Sequence, residues 1–108
     1  VEDRTCLIVD DMVDTGGSLA NAVEALKDRG AKTVYAAATH PILSGEAPSR
    51  LANSPLERMI VTNTINVPEE KRSDRLEVLS VAELLSKAIR HVHSNESVSK
   101  LFEIPKEI

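Results

Sequence analysis

A pair of adjacent carboxylates and a loop of glycines and hydroxyl groups lie close together near the start of this chain. Together they comprise Asp10, Asp11, Asp14, Thr15, Gly16, Gly17 and Ser18. Glycines let the backbone approach an anion without a Cβ in the way, and the hydroxyls of Thr15 and Ser18 add donors. Adjacent carboxylates repel each other unless hydroxyl donors or a hard cation such as Mg2+ compensates them. The residue types therefore suit a sugar phosphate, with the loop on the phosphate and the acids on the sugar.

A strand and a helix must position this loop. The apolar run Leu7–Val9 is typical of a strand buried on both faces, and Leu19, Ala22, Val23 and Leu26 follow helical spacing. The carboxyl end of a strand facing the amino end of a helix is where open α/β sheets bind anions. The plain alternative is that the acids only end a strand and that Thr15 or Ser18 only caps the helix.

Composition excludes several classes of function. The 108 residues carry a net charge of −4 and only 2% aromatic residues, which argues against a nucleic-acid surface. The loop lacks the Lys of a G-x-x-x-x-G-K-[ST] nucleotide loop, so a triphosphate clamp of that kind is disfavoured. Cys6 is the only cysteine and falls in the predicted buried strand, which excludes a disulfide framework. With no membrane-length apolar run and no signal peptide, we expect a cytoplasmic protein.

Periodicity and breakers predict one α/β domain over residues 1–108. Predicted helices cover residues 18–29, a short segment within residues 44–54 that has Pro48 in its first turn, and a segment ending near His93 that begins with a Ser80/Glu83 capping box. Gly30 is the predicted C-cap of the first helix. Further strands are predicted at 33–38, 58–62 and 76–79, with a solvated connection at 66–74.

Histidines carry little of the predicted chemistry. His40 ends the second predicted strand on the ligand side, where it either borders the sugar or nucleotide site or orders a loop by a hydrogen bond. His91 and His93 are two residues apart on a helix and so face different directions. We predict no catalytic histidine and no zinc site.

The segment from Asp10 to Ser18 resembles the phosphoribosyl diphosphate signature of the type I phosphoribosyltransferase fold. Other segments are similar to the C-terminal part of ribose-phosphate diphosphokinase, also called phosphoribosyl pyrophosphate synthetase. They are Thr39–Gly45, Val61–Thr64, Ala88–His93, Glu96–Ser99 and the pair Leu101-Phe102. The resemblance implies a parallel-sheet, three-layer α/β/α domain of the phosphoribosyltransferase type, incomplete in this chain.

The resemblance also implies an activity. This family transfers the diphosphoryl group of ATP to the 1-hydroxyl of ribose 5-phosphate, with Mg2+, giving phosphoribosyl diphosphate and AMP for nucleotide biosynthesis. By resemblance, Asp10 and Asp11 meet the ribose hydroxyls and the metal-bound sugar, and residues 14–18 hold the 5-phosphate. Ser18 stands where Thr is usual in the family, and its hydroxyl is retained.

Regulation and assembly are expected by the same resemblance. The family has an allosteric site at which phosphate activates and ADP inhibits, lined in part by the segment that corresponds to Ser97 through Ser99. Lys100 replaces the aromatic residue expected next. Family members assemble as dimers grouped into hexamers, so we expect a homo-oligomer.

Cationic groups for diphosphoryl transfer are scarce near the loop. Such a reaction needs cationic side chains and metal around the developing charge, and the only basic residue close to the loop in sequence is Arg4. In the family, the ATP site and the mobile basic loop precede the signature strand, and this chain begins a few residues before it. We therefore expect the isolated chain to bind sugar phosphate weakly and not to catalyse.

Two other functions stay open. A phosphoribosyltransferase that consumes phosphoribosyl diphosphate uses the same loop, but it does not need the Ser97–Ser99 segment. A non-catalytic regulatory relative keeps the fold but loses the glycines and hydroxyls of the loop, which are intact here.

Overall fold

The computed structural model describes residues 1–102, which leaves the last six residues of the predicted domain outside the described part. The strands are β1 (Thr5–Val13), β2 (Thr33–Pro41), β3 (Arg58–Thr62) and β4 (Leu76–Leu79). The helices are α1 (Gly17–Asp28), α2 (Ala47–Asn53) and α3 (Ala82–His93). Two short 3-10 turns span Glu69–Lys71 and Val98–Phe102.

All four strands pair in parallel, in the order β1-β2-β3-β4. Because the strand order advances in one direction and such crossovers are right-handed, α1 and α2 belong on the same face of the sheet. Apolar side chains from that face, from the two helices and from the connections on either side of α2 form the core. Its most deeply buried members include Val23, Val34, Ala36, Leu43, Ala47, Leu56 and Val61. The α/β fold class predicted from the sequence is confirmed.

The opposite face of the sheet is open to solvent. Leu7 and Val9 on β1 are 61% and 73% exposed, and Leu79 on β4 is 50% exposed. The prediction that β1 is buried on both faces is therefore wrong, because α1 and α2 cover one face and α3 buries none of its own residues. The radius of gyration of 16.6 Å exceeds the value of about 13 Å for a compact chain of this length. Within residues 1–102 the three-layer architecture is therefore incomplete.

The observed strand boundaries differ most from the predicted ones at the carboxyl ends of β1 and β2. β3 and β4 have the predicted limits, whereas β2 continues three residues further, to Pro41. β1 also continues past Val9, so that Asp10 and Asp11 lie within the strand rather than after it. Cys6, predicted to be buried, is only partly buried, because it packs against the core from a strand at the edge of the sheet.

Gly30 ends α1 as predicted. Its φ is +92°, and the N–H of Gly30 donates to the carbonyl of Lys27 at 3.0 Å. The N–H of Ala31 donates to the carbonyl of Leu26, also at 3.0 Å. These two bonds form a Schellman motif, in which a left-handed glycine satisfies the last carbonyls of the helix.

The start of α3 does not use the predicted capping box. Ser80 Oγ accepts a hydrogen bond from the Ala82 N–H at 3.1 Å. In a capping box it would accept from the N–H of Glu83, one residue later. Asn63 Oδ1, from the connection after β3, accepts the Val81 N–H at 2.9 Å. Ser80 and a side chain from another segment thus each accept one of the N–H groups at the start of α3.

Candidate functional site

The loop from Asp14 to Gly16 joins the carboxyl end of β1 to the amino end of α1. A depression of about 200 Å³ lies against it. Its walls combine the predicted site residues with their neighbours, namely Asp10, Met12, Val13, Asp14, Thr15, Gly16, Ser18 and Leu19. The structure therefore brings five of the seven predicted residues to one surface. Asp11 and Gly17 adjoin this wall in sequence but do not line it.

Gly16 makes the turn from strand to helix. It is buried, and its φ of +79° lies in the left-handed region that favours glycine. A Cβ at this position would be 3.5 Å from Ala47 Cβ, an ordinary contact. The requirement for glycine therefore comes from the backbone conformation and not from crowding.

The amino end of α1 is not capped by a side chain. Gly16 occupies the N-cap position, neither Thr15 nor Ser18 caps the helix, and the first turn contains no acidic residue. The first N–H groups of a helix have no intrahelical acceptor, and they carry the positive end of the helix dipole. Backbone donors and a favourable field for an anion therefore meet at the depression.

The adjacent carboxylates are exposed at the rim of this site. The Asp11 N–H donates to Asp10 Oδ1 at 2.8 Å, which fixes the Asp10 carboxylate against its own strand. Within the described part of the chain, neither acid forms an ion pair. Both carboxylates retain acceptor positions for sugar hydroxyls or a cation.

The segment that follows β2 braces the loop. The Ser44 hydroxyl donates to Asp14 Oδ1, and the Ser44 N–H donates to the Asp14 carbonyl at 2.9 Å. The Leu43 N–H donates to the Val13 carbonyl at 3.0 Å. Asp14, which the resemblance assigns to the phosphate, thus also anchors the loop to this segment.

Arg50 is a site residue that the sequence did not reveal. Its Nη1 donates to the Thr15 carbonyl at 3.0 Å, across 35 positions of sequence. Arg4, the cation named from sequence proximity, precedes β1 and so lies at the opposite end of that strand from the loop. Proximity along the chain misleads here because a nine-residue strand spans about 30 Å. The packing of α2 beside α1 brings this guanidinium to the loop.

Polar side chains also meet at the carboxyl ends of β2 and β3. His40 Nδ1 lies 2.9 Å from Thr64 Oγ1. The hydroxyls of Thr62 and Thr64 donate to the Thr39 carbonyl at 2.7 and 3.2 Å. Of the two roles left open for His40, the structure supports the hydrogen bond that orders a loop.

The predicted allosteric residues lie apart from the loop in the fold. Ser97 Oγ and Ser99 Oγ are 2.6 Å apart, and His91 Nδ1 lies 3.1 Å from the Ser97 carbonyl. The 3-10 turn that contains Ser99 packs against α3. Neither serine lines the depression at the loop.

Metal-ligand chemistry at the site rests on the two adjacent acids. Across residues 1–102 there is no group of three or more His, Cys, Asp or Glu side chains able to hold a metal ion by themselves. Mg2+ is commonly bound through one or two carboxylates, with substrate oxygens and water completing its shell. Asp10 and Asp11 fit that limited role. None of the helices in the described residues is long and apolar enough to span a membrane.

Comparison with known proteins places this geometry in a family. The model of the phosphoribosyl synthetase-associated domain matches residues 1–103. A ribose-phosphate pyrophosphokinase 1 of Listeria innocua is 52% identical over 103 residues, and one from Clostridium tetani is 48% identical over the same length. The crystal structure of phosphoribosylpyrophosphate synthetase from Mycobacterium smegmatis matches with a TM-score of 0.87 and 50% identity.

The matches cover most of this chain but only a small part of each relative. The Listeria and Clostridium matches include 95% of this chain but only 32% of each relative, and the Mycobacterium match covers 88% of this chain and 32% of that one. The chain therefore spans about a third of the length of the relatives that it matches. The chain belongs to the phosphoribosyl synthetase-associated domain family and corresponds to a segment of ribose-phosphate pyrophosphokinase.

Proposed function

We propose that this chain forms the ribose 5-phosphate site of a ribose-phosphate diphosphokinase. That enzyme transfers diphosphate from ATP to the 1-hydroxyl of ribose 5-phosphate, giving phosphoribosyl diphosphate and AMP. The observation that carries the proposal is the depression in which an uncapped helix start and exposed acids converge.

The 5-phosphate binds at the loop. Backbone N–H groups at the start of α1 and the hydroxyls of Thr15 and Ser18 surround the position that a phosphate would take. The left-handed Gly16 turns the chain sharply enough for these donors to face one anion. The positive end of the α1 dipole favours a phosphate at this position, and no acidic side chain in the first turn of α1 opposes it.

The ribose ring binds toward the end of β1. Asp10 lines the depression beside the loop, and its neighbour Asp11 is exposed. Their carboxylates accept hydrogen bonds from the ribose hydroxyls and share in holding Mg2+. When bound, Mg2+ supplies charge stabilisation for the transferred diphosphoryl group. The acids orient the sugar and balance the cation.

Diphosphoryl transfer needs groups that we place outside this chain. Arg50 is the one described guanidinium that contacts the loop, and it is committed to the Thr15 carbonyl. The ATP site and further catalytic cations belong to a longer enzyme, of which relatives have about three times this length. The isolated chain therefore binds ribose 5-phosphate weakly and is inactive.

Assembly and regulation complete the proposal. The exposed apolar side chains on the open sheet face favour a homo-oligomer. Phosphate and ADP are the effectors that we assign to the region of Ser97 and Ser99, and the working location of the enzyme is the cytoplasm.

Calorimetric titration tests the substrate assignment. The chain is titrated with ribose 5-phosphate and Mg2+, and separately with ribose and with inorganic phosphate. We expect measurable binding only for the ligand that carries both sugar and phosphate. Equal binding of inorganic phosphate would reduce the site to a general anion site and contradict the proposal. Addition of a nucleobase with phosphoribosyl diphosphate tests the phosphoribosyltransferase alternative, and we expect no conversion.

A further inference from the structure

Arg50 contacts the loop without lining the depression. It belongs to α2, and no residue of α2 lines the depression. Its guanidinium donates to the Thr15 carbonyl at 3.0 Å, and a Cβ built on Gly17 would be 3.8 Å from the same nitrogen. The guanidinium therefore lies beside Thr15 and Gly17 and is not part of the wall of the depression.

The contact with the Thr15 carbonyl fixes the direction of one peptide group. No peptide bond in the described residues is cis, and in a trans peptide the N–H points opposite to the C=O. While Arg50 holds the Thr15 carbonyl, the Gly16 N–H points away from the guanidinium, and Gly16 itself lines the depression. A flipped peptide would instead present a carbonyl oxygen to the anion and repel it.

From this geometry we propose that Arg50 is a positioning residue for phosphate recognition. It orients the Thr15–Gly16 peptide so that its N–H joins the donors at the start of α1. This inference rests on the proposed function, since it concerns the same ribose 5-phosphate site. The hydrogen bonds from Ser44 to Asp14 hold the preceding residue of the loop in the same manner. Ser44 and Arg50 thus set the conformation of Asp14 and Thr15.

The electrostatics of the arrangement favour arginine. The guanidinium carries several donors in a fixed planar geometry, whereas an ammonium is a single compact charge on a flexible stem. A lysine at position 50 retains the charge and can donate to the Thr15 carbonyl, but it holds that carbonyl less rigidly. A methionine retains most of the apolar stem but loses both the charge and the hydrogen-bond donors.

The test compares Arg50→Met, Arg50→Lys and the matched control Arg90→Met in this chain. Arg90 is an exposed residue of α3, away from the loop. Two quantities are measured for each variant, the backbone ¹⁵N order parameters of residues 15–17 without ligand and the affinity for ribose 5-phosphate. Thermal unfolding shows that the variants are folded.

We expect Arg50→Met to lower the loop order parameters below about 0.6, the range of flexible backbone. It should also weaken ribose 5-phosphate binding by about tenfold, the loss that follows from one hydrogen bond to a charged group. Arg50→Lys should recover part of both losses, and Arg90→Met should change neither. All three variants should remain folded; Arg50→Met should unfold at a slightly lower temperature because the hydrogen bond to Thr15 is lost, and Arg90→Met should unfold as the wild type does.

Two results separate the inference from the proposed function. Unchanged loop order parameters in Arg50→Met would overturn the positioning role, whatever the chain binds. The second result is a wild-type chain that does not bind ribose 5-phosphate but has an ordered loop that loosens in Arg50→Met. It would overturn the proposed function and the phosphate-recognition part of the inference. Arg50 would then only stabilise the conformation of the loop.

Discussion

Replacement of Gly16 by alanine tests the backbone conformation on which the anion site depends. Gly16 has a φ of +79°, and alanine in the left-handed region costs about 1–2 kcal/mol. The added Cβ would meet Ala47 Cβ at 3.5 Å, which is an ordinary contact, so crowding adds little. We therefore expect a destabilisation of about 1–2 kcal/mol, which lowers the unfolding temperature by about 4–8 °C per kcal/mol in a domain of this size.

Gly30→Ala is the matched control for this experiment. Gly30 also has a positive φ, +92°, but it lies at the opposite end of α1 from the loop. A Cβ there would be 3.2 Å from Cγ of the exposed Glu2, a tight contact that a small shift of that side chain relieves. Both variants should lose stability of similar size, because both impose the left-handed conformation on alanine.

Binding separates the two variants. Each is titrated with ribose 5-phosphate and Mg2+ by calorimetry, and its unfolding is followed by circular dichroism. In Gly16→Ala the loop relieves its strain by rearranging, which displaces the phosphate donors. Binding must restore the strained conformation, and about 1.4 kcal/mol of strain corresponds to a tenfold loss, so we expect this variant to bind at least tenfold more weakly. Gly30→Ala should bind as the wild type does. An unfolding temperature for Gly16→Ala equal to that of the wild type would refute the left-handed turn. Equal affinities in the two variants would refute the link between that turn and the site.

Three further outcomes follow from the geometry. Asp11→Ala should weaken ribose 5-phosphate binding about tenfold in calorimetry, with exposed Asp28→Ala as the unaffected control; equal losses would remove the role of Asp11. Val23→Ala should lower the free energy of unfolding by about 2 kcal/mol in urea, because Val23 is fully buried, and a smaller change than 0.5 kcal/mol would contradict the core assignment. Light scattering should detect self-association through the open sheet face, reduced by Val9→Glu; a monomeric wild type at high concentration would exclude it.

Much of the local structure was predictable from the sequence. The limits of β3 and β4 matched the structure because each strand is a short apolar segment bounded by turn residues. Gly30 was predictable as a C-cap because a left-handed cap strongly favours glycine. The loop between β1 and α1 was found in the same way, from residue types that suit one conformation and one ligand class.

Other features depend on tertiary contacts between segments that are distant in sequence. The apolar run Leu7–Val9 predicts burial on both faces, but a sequence pattern cannot show that one covering layer is absent from residues 1–102. The Ser80/Glu83 pattern predicts a capping box, but Asn63 from another segment takes the Val81 N–H. Arg50 contacts Thr15 only because α2 packs beside α1, and no local spacing encodes that contact.

The central claim is that ribose 5-phosphate binds at the loop between β1 and α1. The most direct test is a ¹⁵N NMR titration of the chain with ribose 5-phosphate and Mg2+, following each backbone amide. We expect the largest shifts to fall on residues 10–18, with those of residues 15–18 absent when ribose replaces ribose 5-phosphate. Shifts that centre on the open sheet face or on the region of Ser97 and Ser99, with residues 10–18 unmoved, would contradict it.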